Sequence, residues 1–234
     1  MAAPATLTRI ATHQAGGQSE ADYGVPKGLT LRDEIARYFR IGQALFAALT
    51  AAEHPSHAAT IKFVEDLLSD VFGFTGLARV SSRILGGRHF AVTLDGLGGR
   101  VPIVVVPPAD ELDRPSDHLP TDGRRRSAAS AIQDWVNASE DCRWGLCSNG
   151  YRLRLVRDNQ SLTRPAFIEA DLRTIFEEEN FADFTALWLL VHASRFGRPG
   201  TPPADCALER WREAAQKEGV AARDPTMDTE RRHP

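Results

Sequence analysis

Two amphipathic helices are predicted near the amino end from the spacing of apolar residues. The first follows Thr30, a good N-cap, and continues to about Glu53 with apolar residues three or four positions apart. The second extends from about His57 to Val71 and has one apolar face. Residues 1–24 are small and polar without this period, which predicts a disordered lead-in.

The period of the pattern then changes to that of β-strands. Three β-rich segments, 77–85, 88–95 and 101–106, are separated by glycine-rich breaks. The last segment is apolar almost throughout, as expected for a strand that is buried on both faces. A loop rich in proline and aspartate follows over 107–122.

The second half of the chain combines a hairpin with further helices. Asn149-Gly150 separates two β-like segments, 143–148 and 151–157, and predicts a type I′ turn with positive φ at both residues. Helical spacing predicts an amphipathic helix from about 128 to 136, a helix over 181–196 that is apolar nearly all round, and a final amphipathic helix over 205–218.

This order of elements predicts one α/β domain with a mixed sheet flanked by helices. The domain is expected over residues 25–200. A linker helix is expected within 201–219, and a disordered tail over 220–234.

Composition narrows the class of protein. The 234 residues have a net charge of −3, so no overall basic field indicates a nucleic-acid partner. The chain has neither an apolar stretch long enough for a membrane span nor the apolar block of a secretion signal. Three cysteines, an odd number, indicate a reducing cytoplasm. We therefore expect a cytoplasmic protein without membrane contact.

Two carboxylates lie in an order that matches one class of nuclease. Glu65 is on a predicted helix, and Asp95 follows in the β-rich region. Nucleases of the PD-(D/E)XK type use this order to hold a divalent ion such as Mg²⁺, which activates water. The fold expected is therefore a restriction-endonuclease-like mixed sheet. The next strand, however, carries neither the acid nor the lysine of the tripeptide, and a metal-dependent endonuclease would need Lys62 as a displaced lysine.

The carboxyl half resembles a known family. The resemblance is carried by RWGLCSNG at 143–150, LRLVRD at 153–158, SLTRPAFIEADL at 161–172 and LWLLVHASRF at 187–196. These segments resemble the N-terminal region of large bacterial type IIG-like restriction–modification methylases, which are adenine-specific and occur in phage-defence loci, including DISARM-like ones. The RWGLCSNG segment also resembles the nuclease-like N-terminal domains of type I restriction subunits.

The resemblance implies DNA as a partner and methyl transfer from S-adenosylmethionine in full-length relatives. This chain has neither the glycine-rich cofactor turn nor the N-P-P-[YF] motif of that activity, so we expect no cofactor and no metal in the chain itself. The chain is then a truncated or split non-catalytic domain that contacts DNA and docks to a separate methylase or another defence subunit. The linker helix would have an apolar side, Leu208, Trp211 and Ala215, without its natural partner.

Arginines are the candidate DNA contacts. Arg124, Arg125 and Arg126 precede a predicted helix, whose amino end favours phosphate, and Arg152 and Arg154 alternate with apolar residues on a strand. The same residues also fit a solvated arginine cluster. Three functions thus stay open: a DNA-contact domain, a metal-dependent endonuclease, and a protein–protein adaptor that never contacts DNA.

Overall fold

A six-stranded mixed sheet forms the centre of the protein. The computed structural model describes residues 4–119, 125–158 and 167–221. The sheet has the order β1-β4-β5-β6-β7-β8, in which the parallel pair is β5 with β6 and the other neighbours are antiparallel. A separate two-stranded sheet pairs β2 with β3. The strands are β1 Ala78–Arg79, β2 Arg83–Leu85, β3 Arg88–Phe90, β4 Leu94–Gly96, β5 Val101–Val105, β6 Trp144–Ser148, β7 Arg152–Arg157 and β8 Phe167–Asp171.

Helices pack on both faces of this sheet. The α-helices are α1 Pro4–Ala11, α2 Leu31–Thr50, α3 His57–Asp66, α4 Ala128–Ala138, α5 Leu172–Phe176, α6 Phe181–Val191 and α7 Ala207–Ala221. A π-helical turn, Leu67–Val71, extends α3, and a 3₁₀ turn, Ala193–Phe196, follows α6. None of the helices in the described ranges has the length and apolarity needed to cross a membrane.

The order of elements is consistent with a restriction-endonuclease-like α/β fold. Helix α3 precedes the antiparallel strands β1 and β4, and α4 connects β5 to its parallel neighbour β6. Strand β5 is buried on both faces, as predicted: Ile103 and Val105 contact the core beneath α2, α3 and α6, while Val104 belongs to a second core beneath α4. The prediction of a mixed sheet flanked by helices is confirmed.

The predicted hairpin joins β6 to β7, but its turn differs from the expected one. Gly150 has φ +82°, whereas Asn149 is absent from the positive-φ residues of the described chain. Instead, the Asn149 side chain accepts hydrogen bonds from the backbone N–H of Tyr151 and of Arg152, at 3.1 and 2.8 Å. A three-residue loop closed by an asparagine side chain replaces the type I′ turn.

The prediction of a disordered lead-in is wrong for the part of residues 1–24 that the structure describes. Ile10 and Tyr23 are 1% and 5% exposed. Arg195, beyond α6, donates to the carbonyl of Gly17 at 2.6 Å and stacks over the Tyr23 ring at 3.9 Å. The segment lacks a local period because distant residues, instead of its own spacing, hold it in place.

The prediction of an unpartnered linker helix is also wrong. Leu208, Trp211 and Ala215 of α7 are 3%, 6% and 3% exposed. The Trp211 indole donates to the carbonyl of Gly16 at 2.8 Å. Helix α7 therefore completes the core of this domain by packing against its amino-terminal segment. The predicted tail lies mostly beyond residue 221, outside the described residues.

Candidate functional site

The two candidate nuclease carboxylates lie close to adjacent strands, and each pairs with an arginine. Glu65 of α3 accepts from Arg79 of β1, with its Oε2 atom 2.6 Å from Nη2 and 3.1 Å from Nε. Asp95 of β4 accepts from Nε of Arg83 at 2.8 Å. Strands β1 and β4 pair with Ala78 opposite Asp95. Because directly paired residues share a face of the sheet, Arg79 lies on the face of Leu94 and Asp95 on the opposite face with Ala78. Glu65–Arg79 and Arg83–Asp95 are therefore two separate ion pairs, and we call the two pairs together the neutralised centre.

The neutralised centre does not fit a catalytic Mg²⁺ ion. Each carboxylate already pairs with a guanidinium group, and these positive groups would repel a metal cation that approached the carboxylates. Strand β5, where a third ligand and the lysine would lie, is entirely buried and apolar. Within the described ranges, no three His, Cys, Asp or Glu residues are grouped so that they could hold a metal ion.

Lys62 has a partner on its own helix. Its ammonium group contacts the carboxylate of Asp66, one helical turn further along α3. This hydrogen bond raises the pKa of Lys62, so the lysine is held in its charged form. The placement does not favour Lys62 as the displaced lysine of an endonuclease.

A short hairpin projects beside the neutralised centre. Strands β2 and β3 pair with Ile84 opposite His89 and Leu85 opposite Arg88. Gly86 and Gly87 connect them with φ +56° and +78°, the conformation of a type I′ turn. Ile84 is 63% exposed and Leu85 41% exposed. We call residues 84–89 the hairpin tip.

The base of the hairpin is fixed to the domain. The Phe90 ring packs edge-on against Trp135 of α4, with centroids 5.1 Å apart. The Arg83 guanidinium lies 5.2 Å from the same indole ring while it pairs with Asp95. The apolar tip is therefore held out from the core.

Sequence reasoning missed Arg79, Arg83 and the hairpin tip. A signal was present: residues 71–94 contain three arginines and one histidine but no aspartate or glutamate. In a chain of net charge −3, an acid-free run of this length marks a locally basic surface. The run extends from the end of the α3 segment to the residue before Asp95.

The two described arginines of the predicted triplet, Arg125 and Arg126, have partners within the protein. Arg124 lies outside the described residues. Arg125 pairs with Asp117, and Arg126 pairs with Asp134 of α4. The amino end of α4 is capped by Ser127, whose hydroxyl accepts from the backbone N–H of Ser130 at 3.0 Å. Part of the phosphate-binding capacity expected at this helix end is thus used internally.

Arg152 and Arg154 are enclosed by acidic side chains. Arg154, with 6% of its side chain exposed, donates to Asp113 at 2.7 and 2.9 Å and to Glu169 at 2.6 and 2.9 Å. Burial acts to lower the pKa of Arg154, but these hydrogen bonds outweigh it and raise the pKa. Arg152 pairs with Glu169 at 2.7 Å and Asp171 at 3.7 Å. Three carboxylates face two arginines, so this placement does not favour either arginine as a phosphate contact.

Comparison of the chain with protein-family models, with curated proteins and with solved structures gave no significant match.

Proposed function

We propose that this chain is a non-catalytic, restriction-endonuclease-like domain that contacts duplex DNA and docks to a methylase in a type IIG-like restriction–modification system. The observation that carries the proposal is the neutralised centre, in which Arg79 and Arg83 pair with both candidate nuclease carboxylates. The restriction-endonuclease-like order of elements and the resemblance of segments 143–196 support the same assignment, the former as an analogy of fold.

The chemistry of the centre supports the proposed lack of catalysis. Metal-assisted cleavage requires a cation that lowers the pKa of a bound water and stabilises charge on the phosphate. Arginines balance the negative charge of Glu65 and Asp95 but activate no water. A domain with this centre keeps the fold but lacks the means to cleave DNA.

Contact with DNA is supported by the acid-free run of residues 71–94. This run supplies β1 and the hairpin β2–β3, which lie beside the neutralised centre. Arg79 and Arg83 of this run are paired with Glu65 and Asp95, so attraction of the phosphate backbone, which is independent of sequence, falls mainly on the exposed Arg88.

A protein–protein adaptor is the second candidate function. The exposed pair Ile84 and Leu85 favours it, because neighbouring apolar side chains on a surface often mark a protein contact. DNA binding distinguishes the two functions: a DNA-contact domain binds DNA with an affinity that depends on salt, whereas an adaptor does not bind DNA.

The proposal is tested with the full chain and a fluorescent duplex of mixed sequence over a series of salt concentrations. We expect weak binding whose log K decreases with log salt by about 0.9 per phosphate contact. Plasmid DNA with Mg²⁺ or Mn²⁺ is expected to stay intact, and S-adenosylmethionine to transfer no methyl group. Absence of DNA binding at low salt would leave the adaptor function. Nicking that disappears in Asp95→Ala would establish the endonuclease instead.

A further inference from the structure

We propose that the hairpin tip inserts into the major groove of duplex DNA, with Ile84 against base edges and Arg88, on the opposite face of the ribbon, on a flanking phosphate. This inference rests on the proposed DNA-contact function and names the element that performs it.

The hairpin tip concentrates exposed apolar surface. Four large apolar side chains are exposed in the described part of the chain, and two of them, Ile84 and Leu85, are neighbours on this tip. Because Phe90 and Arg83 fix the hairpin base to Trp135, the tip cannot bury these side chains by folding back. The hairpin is thus preorganised for a partner that accepts a protruding ribbon.

The cross-strand pairs favour DNA over an apolar protein partner. Each pair at the tip joins one apolar residue to one basic residue: Ile84 faces His89, and Leu85 faces Arg88. All four side chains belong to exposed residues. A hydrophobic protein pocket would have to bury Arg88 without a carboxylate from the hairpin, since the run 71–94 contains none. In a DNA groove, the same arginine contacts phosphate, while Ile84 on the other face of the ribbon contacts bases.

The dimensions of a two-stranded ribbon select the major groove. Neighbouring strands are about 4.8 Å apart before side chains are added, and the major groove is about 12 Å wide against about 6 Å for the minor groove. The type I′ turn of Gly86-Gly87 adds no side chain at the leading end. Ile84 can then contact groups such as the thymine methyl on the groove floor, while Leu85, on the opposite face of the ribbon, lies against the side of the groove.

Charge and apolar variants separate the two parts of the contact. Arg88→Ala is expected to reduce the slope of log K against log salt by about 0.9, the loss of one phosphate contact. The double variant Ile84→Ser/Leu85→Ser is expected to weaken binding about ten-fold with the slope unchanged, because it removes apolar contact without removing charge. Arg40→Ala and Leu29→Ser, at exposed positions on and just before α2, are the matched controls and are expected to bind as wild type does.

Modified duplexes test the choice of groove. Glucosylated 5-hydroxymethylcytosine fills the major groove and is expected to abolish the difference between wild type and the double serine variant. A minor-groove ligand of the netropsin type is expected to leave wild-type binding unchanged. Competition by that ligand, together with normal binding to glucosylated DNA, would overturn the assignment to the major groove.

The outcomes distinguish this inference from the proposed function. If the hairpin variants bind DNA as well as wild type and the control variants do, the hairpin assignment is overturned, whereas the DNA-contact function stands. Failure of wild type to bind DNA at low salt would overturn both. Unchanged circular dichroism of each variant establishes that altered binding does not arise from misfolding, and the exposure of the substituted residues makes this the expected result.

Discussion

We predict that breaking the ion pair between α7 and β7 lowers the stability of the protein by an amount that the structure allows us to estimate. Glu209 of α7, with 5% of its side chain exposed, accepts from Nε and Nη2 of Arg157 at 2.7 and 2.8 Å. It also accepts from the Trp144 indole N–H at 2.8 Å. Glu209→Ala leaves a guanidinium of 15% exposure and an indole N–H without these acceptors.

The expected loss of stability depends on the partners of Glu209 that are left without an acceptor. Removing one member of a buried ion pair costs about 3–5 kcal/mol, because the other charge loses its compensation. Arg157 retains Asp158 as a second carboxylate, so we expect the lower end, about 3 kcal/mol. For a domain of this size the loss corresponds to a decrease in Tm of roughly 6–12 °C.

The pKa of Glu209 determines how the destabilisation by Glu209→Ala depends on pH. Burial acts to raise the pKa of Glu209, but the hydrogen bonds and charge of Arg157 outweigh it, so the pKa is lowered from 4.5. A carboxylate with a lowered folded-state pKa stabilises the protein above its unfolded pKa and loses this contribution as the pH falls through the folded value. The difference between wild type and Glu209→Ala should therefore be full near neutral pH and shrink below about 4.5.

Urea unfolding followed by circular dichroism measures the free energy directly. Glu213→Ala, at an exposed position on the same helix, is the matched control and should change stability by less than about 0.5 kcal/mol. Arg157→Met/Glu209→Leu removes both charges and should recover most of the loss. Equal effects of Glu209→Ala and Glu213→Ala would refute the reasoning.

Three further predictions concern buried groups. Trp211→Glu should lower stability by more than about 3 kcal/mol and promote aggregation in light scattering, because it places a charge in the core; a variant of wild-type stability would contradict the packing of α7. Burial, followed by the charge of Arg195, lowers the pKa of His192 from 6.5 to about 4. Since the unfolded chain then binds the proton first, stability should decrease as the pH falls from 6.5 to 4, and His192→Asn should flatten this dependence in urea titrations. Burial also raises the pKa of Cys147 to about 12, so its thiol should react with Ellman's reagent only after unfolding; rapid reaction of the native protein would show an open core.

Elements with a strong local period could be predicted from the sequence. Helices α2 and α4 and strand β5 follow their apolar spacing closely, since each buries one stripe or both faces against the sheet. Their neighbours could not be predicted in the same way. The 3₁₀ turn Glu20–Tyr23 is stabilised by Arg195, more than 170 positions away, and the local spacing of apolar residues does not reveal such contacts.

The residues of the candidate site also differ in whether the sequence predicts them. Glu65 and Asp95 were found because their order along the chain follows a known type of centre, but the structure pairs them with different arginines on opposite faces of the sheet. The alternation of residues 152–157 predicted a basic face on β7 but not the acids that neutralise it. Glu169 reaches Arg154 because β8 pairs with β7, and Asp113 reaches it from a loop 41 positions away. A charge pattern within one strand thus describes a surface only after its neighbours are known.

The hydrogen bond between Trp211 and Gly16 has a consequence for synthesis of the protein. The two residues are 195 positions apart along the chain. At a translation rate of about 5–20 residues per second, roughly 10–40 s separate the synthesis of Gly16 from that of its partner. During this interval the surfaces around Ile10 and Gly16 have no α7 to cover them. Nascent chains halted before residue 207 should therefore bind a chaperone that released chains no longer bind.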